Sequence, residues 1–289
     1  MHTIENDHLR VTINSLGGEL TSLFNKSNDL EYLWKADPAF WSKRSPVLFP
    51  VVGSLKNNQY IFEGKKYELS RHGFAREKNF TVAEQTPASI KFSLQQDEST
   101  LKLYPFYFTF SIMYSISGNK LSVTYIVQNE GDGAMYFSVG GHPAFNVPMA
   151  PGLSYEDYYL EFNKVENAER WPINKEGLLE TTGKSFLANT ERLPLTKELF
   201  YKDALVFKDL RSNSIKLCCL KNASGLDFSF EGFPYFGIWA AKNADFICLE
   251  PWCGVADSIS STQDLTGKEG INQLSVGGIF ERTWTISIY

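Results

Sequence analysis

The amino-acid sequence predicts an all-β protein, a large antiparallel β-sandwich with very little helix. Apolar residues recur at every second position in several segments, which is the period of a strand with one buried face. Aromatic residues make up 15% of the 289 residues, and their flat side chains favour strands over helical bundles. Helical periodicity is scarce, because glycines break residues 258–273 and residues 187–201 allow only a turn or two around Pro194.

The clearest strand pair is predicted in the middle of the chain. Alternate positions are apolar in residues 108–116 and again in residues 121–127, and residues 117–120 interrupt them. This pattern predicts a β-hairpin with one buried face. The same alternation predicts further strands, in chain order, at residues 9–13, 90–94, 226–230 and 284–288.

The organisation of the chain favours one domain that spans residues 1–289. No low-complexity linker and no fixed-period repeat divides the sequence. So many strands fit two broad packed sheets. A ligand groove would then lie across a concave face or at the strand ends.

Charge and cysteine content exclude several classes of function. Lysine and arginine number 28 against 33 aspartates and glutamates, and no segment concentrates positive charge, so nucleic acid is not an expected partner. No stretch approaches the ~18 apolar residues of a membrane helix, and the N-terminus is too polar for a secretory signal, so we expect a cytoplasmic protein with no membrane partner. The cysteines lack paired CxxC spacings and are expected to be free thiols: Cys218, Cys219, Cys248 and Cys253.

Motifs for nucleotide cofactors and for common hydrolases are absent. The sequence contains no GxxxxGK[ST], no GxGxxG after a strand, no GxSxG and no HExxH. Two histidines and a carboxylate could hold a metal, but no compact spacing such as His-x-His supports one. We therefore expect a protein without cofactor or metal.

Two of the four histidines stand in unusual local sequences. His72 precedes Gly73, and His142 lies between Gly141 and Pro143. Glycine lets backbone or ligand approach closely, and the following proline holds His142 in an extended conformation. Each residue is therefore a candidate for a functional site or, alternatively, a core histidine that satisfies a buried carbonyl.

Glu250 repeats the arrangement of His142 at the end of another predicted strand. It follows the apolar residues 246–249 and precedes Pro251. Carboxylates are rarely buried without a partner. If Glu250 and His142 face one pocket, they form an acid and a base of different pKa, which is what a proton-transfer enzyme needs.

Four further residues are candidates for ligand contacts. Arg44 enters an apolar segment, where a charge at the rim is the alternative interpretation. Asp203 precedes a predicted strand, where the alternative is a turn-forming aspartate. Trp239 and Trp252 are either core residues or platforms for the C–H face of a pyranose.

Five sequence segments occur in order along nearly the whole chain: residues 34–53 (WKADPAFWSKRSPVLFPVVG), 72–76 (HGFAR), 140–145 (GGHPAF), 233–239 (FPYFGIW) and 249–252 (LEPW). Together they resemble the aldose 1-epimerases, or galactose mutarotase-like proteins. The resemblance is greatest to the bacterial branch in which HGFAR replaces a longer N-terminal motif. It implies a β-supersandwich with the sugar at the centre of its concave face and with no cofactor.

The resemblance also implies roles for individual residues. Glu250 would be the general base and His142 the general acid that interconvert the α and β anomers of an aldohexose or hexose phosphate. His72 would hydrogen-bond the sugar near its ring oxygen, and Arg44 and Asp203 would hold hydroxyl groups.

Arg76 and Trp252 complete the implied sugar-binding set. Arg76 resembles an arginine that helps to bind an anionic group in the hexose-6-phosphate mutarotase branch, and Trp252 belongs to the LEPW segment. Two other functions stay open. One is a non-catalytic sugar-binding or sugar-sensing protein on the same scaffold, and the other is a glycoside hydrolase that uses Asp203 and Glu250 as paired carboxylates.

Overall fold

The computed structural model describes all 289 residues, and β-strands dominate it. Strands hold 49% of the residues and helices 7%, which confirms the predicted all-β class. The 23 strands are, in chain order, β1 His2–Glu5, β2 Leu9–Asn14, β3 Glu19–Asn25, β4 Leu30–Glu31, β5 Val47–Leu48, β6 Gln59–Phe62, β7 Lys65–Glu68, β8 Thr81–Gln85, β9 Ser89–Gln95, β10 Phe108–Ser117, β11 Lys120–Asn129, β12 Met135–Phe137, β13 Val139–Gly141, β14 Ala144–Asn146, β15 Tyr158–Arg170, β16 Lys184–Pro194, β17 Leu205–Phe207, β18 Ser214–Cys219, β19 Leu226–Ser229, β20 Tyr235–Trp239, β21 Phe246–Cys253, β22 Asn272–Leu274 and β23 Ile279–Ile288. The helices are α1 Glu98–Leu103 and four short 3-10 helices, Lys56–Asn58, Ala75–Glu77, Tyr155–Asp157 and Lys197–Phe200.

Most strands belong to two antiparallel sheets. The larger sheet has nine strands in the order β16-β15-β18-β19-β23-β11-β10-β9-β8. The smaller has six, in the order β17-β20-β21-β13-β5 with β14 also paired to β21. Strands β1 to β4 form a separate four-stranded sheet, and β6-β7 and β12-β22 form two-stranded ribbons. The predicted hairpin is β10-β11, in which Ser117 pairs with Lys120.

The sequence analysis found one of the short helices and missed another. Residues 187–201 contain the turn that the sequence allowed, Lys197–Phe200, after β16 ends at Pro194. Helix α1 was not predicted, although Asp97 caps it: its Oδ1 accepts a hydrogen bond from the backbone N of Thr100 at 2.7 Å, and the Thr100 hydroxyl accepts one from the backbone N of Asp97 at 2.8 Å. Such reciprocal capping stabilises the first turn of a helix. None of the helices is long and apolar enough to cross a membrane.

The nine-stranded and six-stranded sheets pack face to face over an aromatic core. One continuous cluster of 69 buried apolar residues draws side chains from both sheets. The ring of Phe228 in β19 lies 6.1 Å from the rings of Phe236 in β20 and Phe145 in β14. Burial of this apolar surface is the main force that holds the two layers together.

The six-stranded sheet is buried on its second face as well. A separate cluster of eight buried apolar residues includes Leu48 and Val206. Their neighbours Val47 and Leu205 belong to the main core. Because alternate residues of a strand face opposite sides of the sheet, the smaller cluster lies on the side away from the main core. This outer face forms the floor of a cleft.

Candidate active site

A cleft of about 370 Å³ lies over the outer face of the six-stranded sheet. Its volume is in the range of small-molecule sites. The polar and aromatic residues that line it are Trp41, Lys43, Arg71, His72, Arg76, His142, Asp203, Trp239, Glu250 and Trp252. The structure therefore brings together every site residue singled out from the sequence except Arg44.

Strand β21 places Glu250 on the floor of the cleft. Alternation along β21 turns Cys248, Glu250 and Trp252 toward the same face of the sheet. Gly237 pairs with Glu250 in the neighbouring strand β20, and a Cβ atom there would lie 2.5 Å from the Trp252 ring. Glycine at this position therefore leaves room for the indole. The side chain of Glu250 is 2% exposed.

His142 approaches Glu250 from the other side of β21. It directly follows β13, which pairs with β21 through Gly140 and Trp252. The Nε2 atom of His142 lies 3.3 Å from Oε2 of Glu250. Folding therefore brings together two side chains that are more than a hundred positions apart in the sequence.

Two tryptophans fix the orientation of the His142 ring. Trp41 stacks on it with ring centroids 5.0 Å apart and an interplanar angle of 29°. Trp239 meets it edge-on at 5.6 Å. The imidazole is therefore held between two rings, and its Nε2 stays directed at Glu250.

The surroundings shift the pKa values of the pair in opposite directions. Burial, together with the positive charges of Arg71 and Arg76, lowers the pKa of His142 to about 3. Burial also raises the pKa of Glu250 well above its usual 4.5; the Arg71 charge opposes this effect and the Asp203 carboxylate adds to it. Both shifts favour a protonated Glu250 beside a neutral His142. An ionised Glu250 beside a protonated His142 contains the same number of protons, so one proton transfer across the contact interconverts the two forms.

Both ring nitrogens of His72 face hydrogen-bond donors. Gly53 N donates to Nδ1 at 3.1 Å, and Arg71 Nε donates to Nε2 at 3.2 Å. The backbone of His72 and Gly53 is also bonded, since His72 N donates to Gly53 O at 2.9 Å. Burial lowers the pKa of His72 well below its usual value, and the Arg71 charge adds to that effect.

The backbone around His72 is left-handed, with φ of 68° at His72 and 70° at Gly73. A Cβ atom on Gly73 would lie 2.3 Å from the carbonyl oxygen of Phe49. Only glycine fits there. The glycine beside His72 therefore allows the close backbone approach that the sequence analysis inferred.

Sequence analysis did not single out three polar or aromatic residues of the cleft, which are Arg71, Trp41 and Lys43. Arg71 makes the most polar contacts of the three. Its Nε lies 3.2 Å from Nε2 of His72, and its Nη2 lies 4.0 Å from Oδ1 of Asp203. Arg76 Nη2 donates to the Arg71 carbonyl at 2.9 Å. With Lys43, these side chains make one part of the cleft cationic. The only sequence signal for Arg71 is its position directly before the HGFAR segment.

Arg44 does not line the cleft, which differs from its implied role. Its guanidinium donates to the carbonyl oxygens of Thr21 at 2.6 Å and Lys35 at 3.2 Å. Its backbone N donates to the Glu19 carboxylate at 2.8 Å. These bonds tie the segment before β5 to strand β3, and Arg71 supplies a guanidinium to the cleft instead.

The fold and the cleft place the chain in the class of galactose mutarotase-like β-sandwich proteins. A galactose mutarotase related enzyme from Lactobacillus acidophilus superimposes with a TM-score of 0.96 at 35% identity, over 100% of this chain and 97% of the other. A galactose mutarotase-like protein from Lactobacillus casei gives a TM-score of 0.94 at 31% identity, over 100% of both chains.

The chain belongs to the aldose 1-epimerase family, whose family model matches residues 1–264. The plasmid-encoded protein LacX of Lactococcus lactis subsp. lactis is 34% identical over 99% of this chain and 98% of its own length. These matches confirm the family resemblance found in the sequence segments.

Proposed function

We propose that the protein interconverts the α and β anomers of an aldohexose or hexose phosphate by acid–base opening and reclosure of the sugar ring. The observation that carries this proposal is the 3.3 Å contact between His142 and Glu250 on the floor of the cleft. Membership of the aldose 1-epimerase family supports an isomerase.

Ring opening requires two proton transfers on one sugar. Glu250 removes the proton of the C1 hydroxyl while His142 donates a proton to the ring oxygen, so the bond between C1 and the ring oxygen breaks and C1 becomes an aldehyde. Rotation about C1–C2 presents the other face of the aldehyde to the same hydroxyl. Reclosure returns the protons along the same routes. The reaction changes no oxidation state and transfers no group, so a positioned acid and base suffice, each typically contributing about 10²–10⁴-fold.

The opposite pKa shifts of the pair assist ring opening. A raised pKa makes the Glu250 carboxylate a stronger base, and a lowered pKa makes the His142 imidazolium a stronger acid. Opening converts the ionised pair into a protonated Glu250 and a neutral His142, which is the form that burial favours. The protein therefore stabilises the protonation state that accompanies the open-chain aldehyde.

The remaining cleft residues would bind and orient the sugar. His72 would hydrogen-bond the sugar near its ring oxygen, and Asp203 and Arg71 can hold hydroxyl groups. The Trp252 ring offers a flat face to the C–H surface of the pyranose. Arg76, close to Arg71, makes a hexose phosphate a candidate substrate because guanidinium groups bind phosphate oxygens bidentately.

The substrate prediction is tested by anomer exchange. Fresh α-glucose, α-galactose and their 6-phosphates are followed by polarimetry or by NMR exchange with and without the protein. We expect acceleration of at least one of the four sugars over its exchange in buffer. Absence of acceleration for all four, with binding of any of them by calorimetry, would instead favour the non-catalytic sugar-binding protein.

Replacement of Arg71 is expected to move the pH optimum of anomer exchange upward. The Arg71 charge lowers the pKa values of both His142 and Glu250, so both rise in Arg71→Met. The pair then reaches its ionised form only at higher pH. The profile of kcat/KM against pH measures this shift.

Lys43→Met is the matched control for Arg71→Met. Lys43 also lines the cleft, but its charge is not among those that shift the pKa values of the pair. Its removal should leave the optimum in place. An Arg71→Met profile that keeps the wild-type optimum, or moves it to lower pH, would contradict the electrostatic role of Arg71.

A further inference from the structure

The catalytic pair has a third neighbour with metal-binding chemistry. Cys248 lies two residues before Glu250 in β21 and therefore faces the same side of the sheet. A ring nitrogen of His142, the Sγ of Cys248 and a carboxylate oxygen of Glu250 all lie within 4.8 Å of one another, and all three residues are buried. Nitrogen, sulfur and oxygen from such residues are the ligands that Zn²⁺ takes in proteins.

We propose that this triad is an inhibitory site for a thiophilic divalent cation of the Zn²⁺ class. Ligand atoms on one tetrahedral zinc ion lie roughly 3.3–3.8 Å apart, given bond lengths of about 2.0–2.3 Å. His142 and Glu250 already meet this spacing at 3.3 Å. Closing the triad on a cation requires side-chain adjustments of about 1 Å at Cys248, and the protons of the Cys248 thiol and the Glu250 carboxyl are released to solvent on binding.

The cleft gives a cation access to two of the three ligands. His142 and Glu250 line it, and Nε2 of His142 is the ring nitrogen that lies beside Glu250. The other ring nitrogen, Nδ1, is buried and has no hydrogen-bond partner, and it would carry the ring proton when Nε2 binds the cation.

Such a cation would block proton transfer between the sugar and the His142–Glu250 pair. Both catalytic side chains would use their proton-accepting atoms on the metal, so neither could exchange a proton with a sugar. The sequence disfavoured a metal because no compact ligand spacing exists. Folding creates the spacing by bringing β21 and the end of β13 together.

The test uses the full-length protein with Co²⁺ as a spectroscopic probe and Zn²⁺ as the competitor. We expect one equivalent of Co²⁺ to produce a thiolate-to-cobalt charge-transfer absorption that Zn²⁺ abolishes. Cys248→Ala and Cys248→Ser should lose this absorption and bind Zn²⁺ at least about 10–100-fold more weakly, the loss expected even for an outer-sphere partner. Circular dichroism checks that each Cys248 variant is folded. Two variants are used so that a folding defect in one of them does not decide the outcome.

The double variant Cys218→Ser, Cys219→Ser is the matched control. It removes the two partly exposed thiols and leaves the triad intact, so its absorption and Zn²⁺ affinity should equal those of the wild type. A wild type that binds no stoichiometric Co²⁺, or an absorption that persists in both Cys248 variants or disappears in the control, overturns the proposal. Absorption and affinity do not depend on turnover, so this outcome is separate from that of the sugar assays.

Discussion

Glu250→Gln is expected to slow anomer exchange by roughly 10²–10⁴-fold, the usual contribution of a positioned general base. The amide has nearly the same shape as the carboxylate but cannot accept the proton of the C1 hydroxyl. His142 and the cleft walls remain, so sugar binding should persist. Exchange rates by NMR and binding by calorimetry on the same sugar separate the two effects.

The same variant should lose less stability than the wild type as the pH rises. Because burial raises the pKa of Glu250, the native carboxyl keeps a proton that the unfolded chain has lost above pH 4.5. Stability present below that pH is therefore lost as pH increases toward the native pKa, by up to about 1.4 kcal/mol per pH unit. Glutamine does not titrate, so Glu250→Gln should avoid this loss. Denaturant unfolding of both proteins between about pH 4 and about pH 8 measures the difference.

Glu84→Gln is the matched control for Glu250→Gln. Glu84 lies in the edge strand β8 with its side chain 76% exposed, so the change should leave anomer exchange and its pH dependence unaltered. Wild-type exchange rates in Glu250→Gln would remove Glu250 from the mechanism. If the wild type and Glu250→Gln bind the sugar equally well and neither accelerates anomer exchange, the protein is a sugar-binding module.

The sequence predicted the strands and the buried positions of Glu250 and His142 for the same physical reason. Period-two alternation marks a strand that has one face in the core, as in β10 and β11. Glu250 and His142 follow apolar residues and are each followed by proline, which indicates polar groups that the backbone holds in fixed directions. The predicted strand end at Glu250 was wrong, because β21 continues through Pro251 to Cys253. Such groups can be recognised locally because burial of an unpaired polar side chain is costly.

Other site residues depend on contacts that sequence spacing does not define. Arg44 and Arg71 are both arginines beside apolar segments, and only the fold decides that Arg44 bonds to the carbonyls around β3 while Arg71 enters the cleft. The sequence predicted Cys248 only as a free thiol. Its proximity to His142 arises from the pairing of β13 and β21, which no local pattern reveals.

A buried ion pair supports the wall of the cleft next to the segment that bonds to His72. Lys268 Nζ lies 2.9 Å from Oδ1 of Asp257 and donates to the Val255 carbonyl at 2.6 Å, and both charged side chains are 3% exposed. The backbone N of Asp257 donates to Ser54 O at 2.9 Å, next to the glycine that bonds to His72. The pair therefore fixes the turn after β21 against the segment that orients His72.

Lys268→Met is expected to lower the free energy of unfolding by about 3–5 kcal/mol, because it leaves the Asp257 charge buried without its partner. The loss of the hydrogen bond to Val255 adds to this effect. Denaturant unfolding monitored by tryptophan fluorescence gives the change, with an unaltered m-value as the sign that the denatured state is the same.

Two control variants distinguish the loss of a buried charge pair from a general effect of the substitution. They are Lys91→Met and the double variant Lys268→Met, Asp257→Asn. Lys91 pairs with the exposed Glu84 at 3.8 Å, so its replacement should change the unfolding free energy by less than about 1 kcal/mol. The double variant removes the unpaired carboxylate, and the amide oxygen can still accept hydrogen bonds from Lys56 N and the Ser261 hydroxyl. It should therefore recover part of the stability lost in Lys268→Met. A double variant no more stable than the single variant would contradict the unpaired Asp257 charge as the cause of the loss.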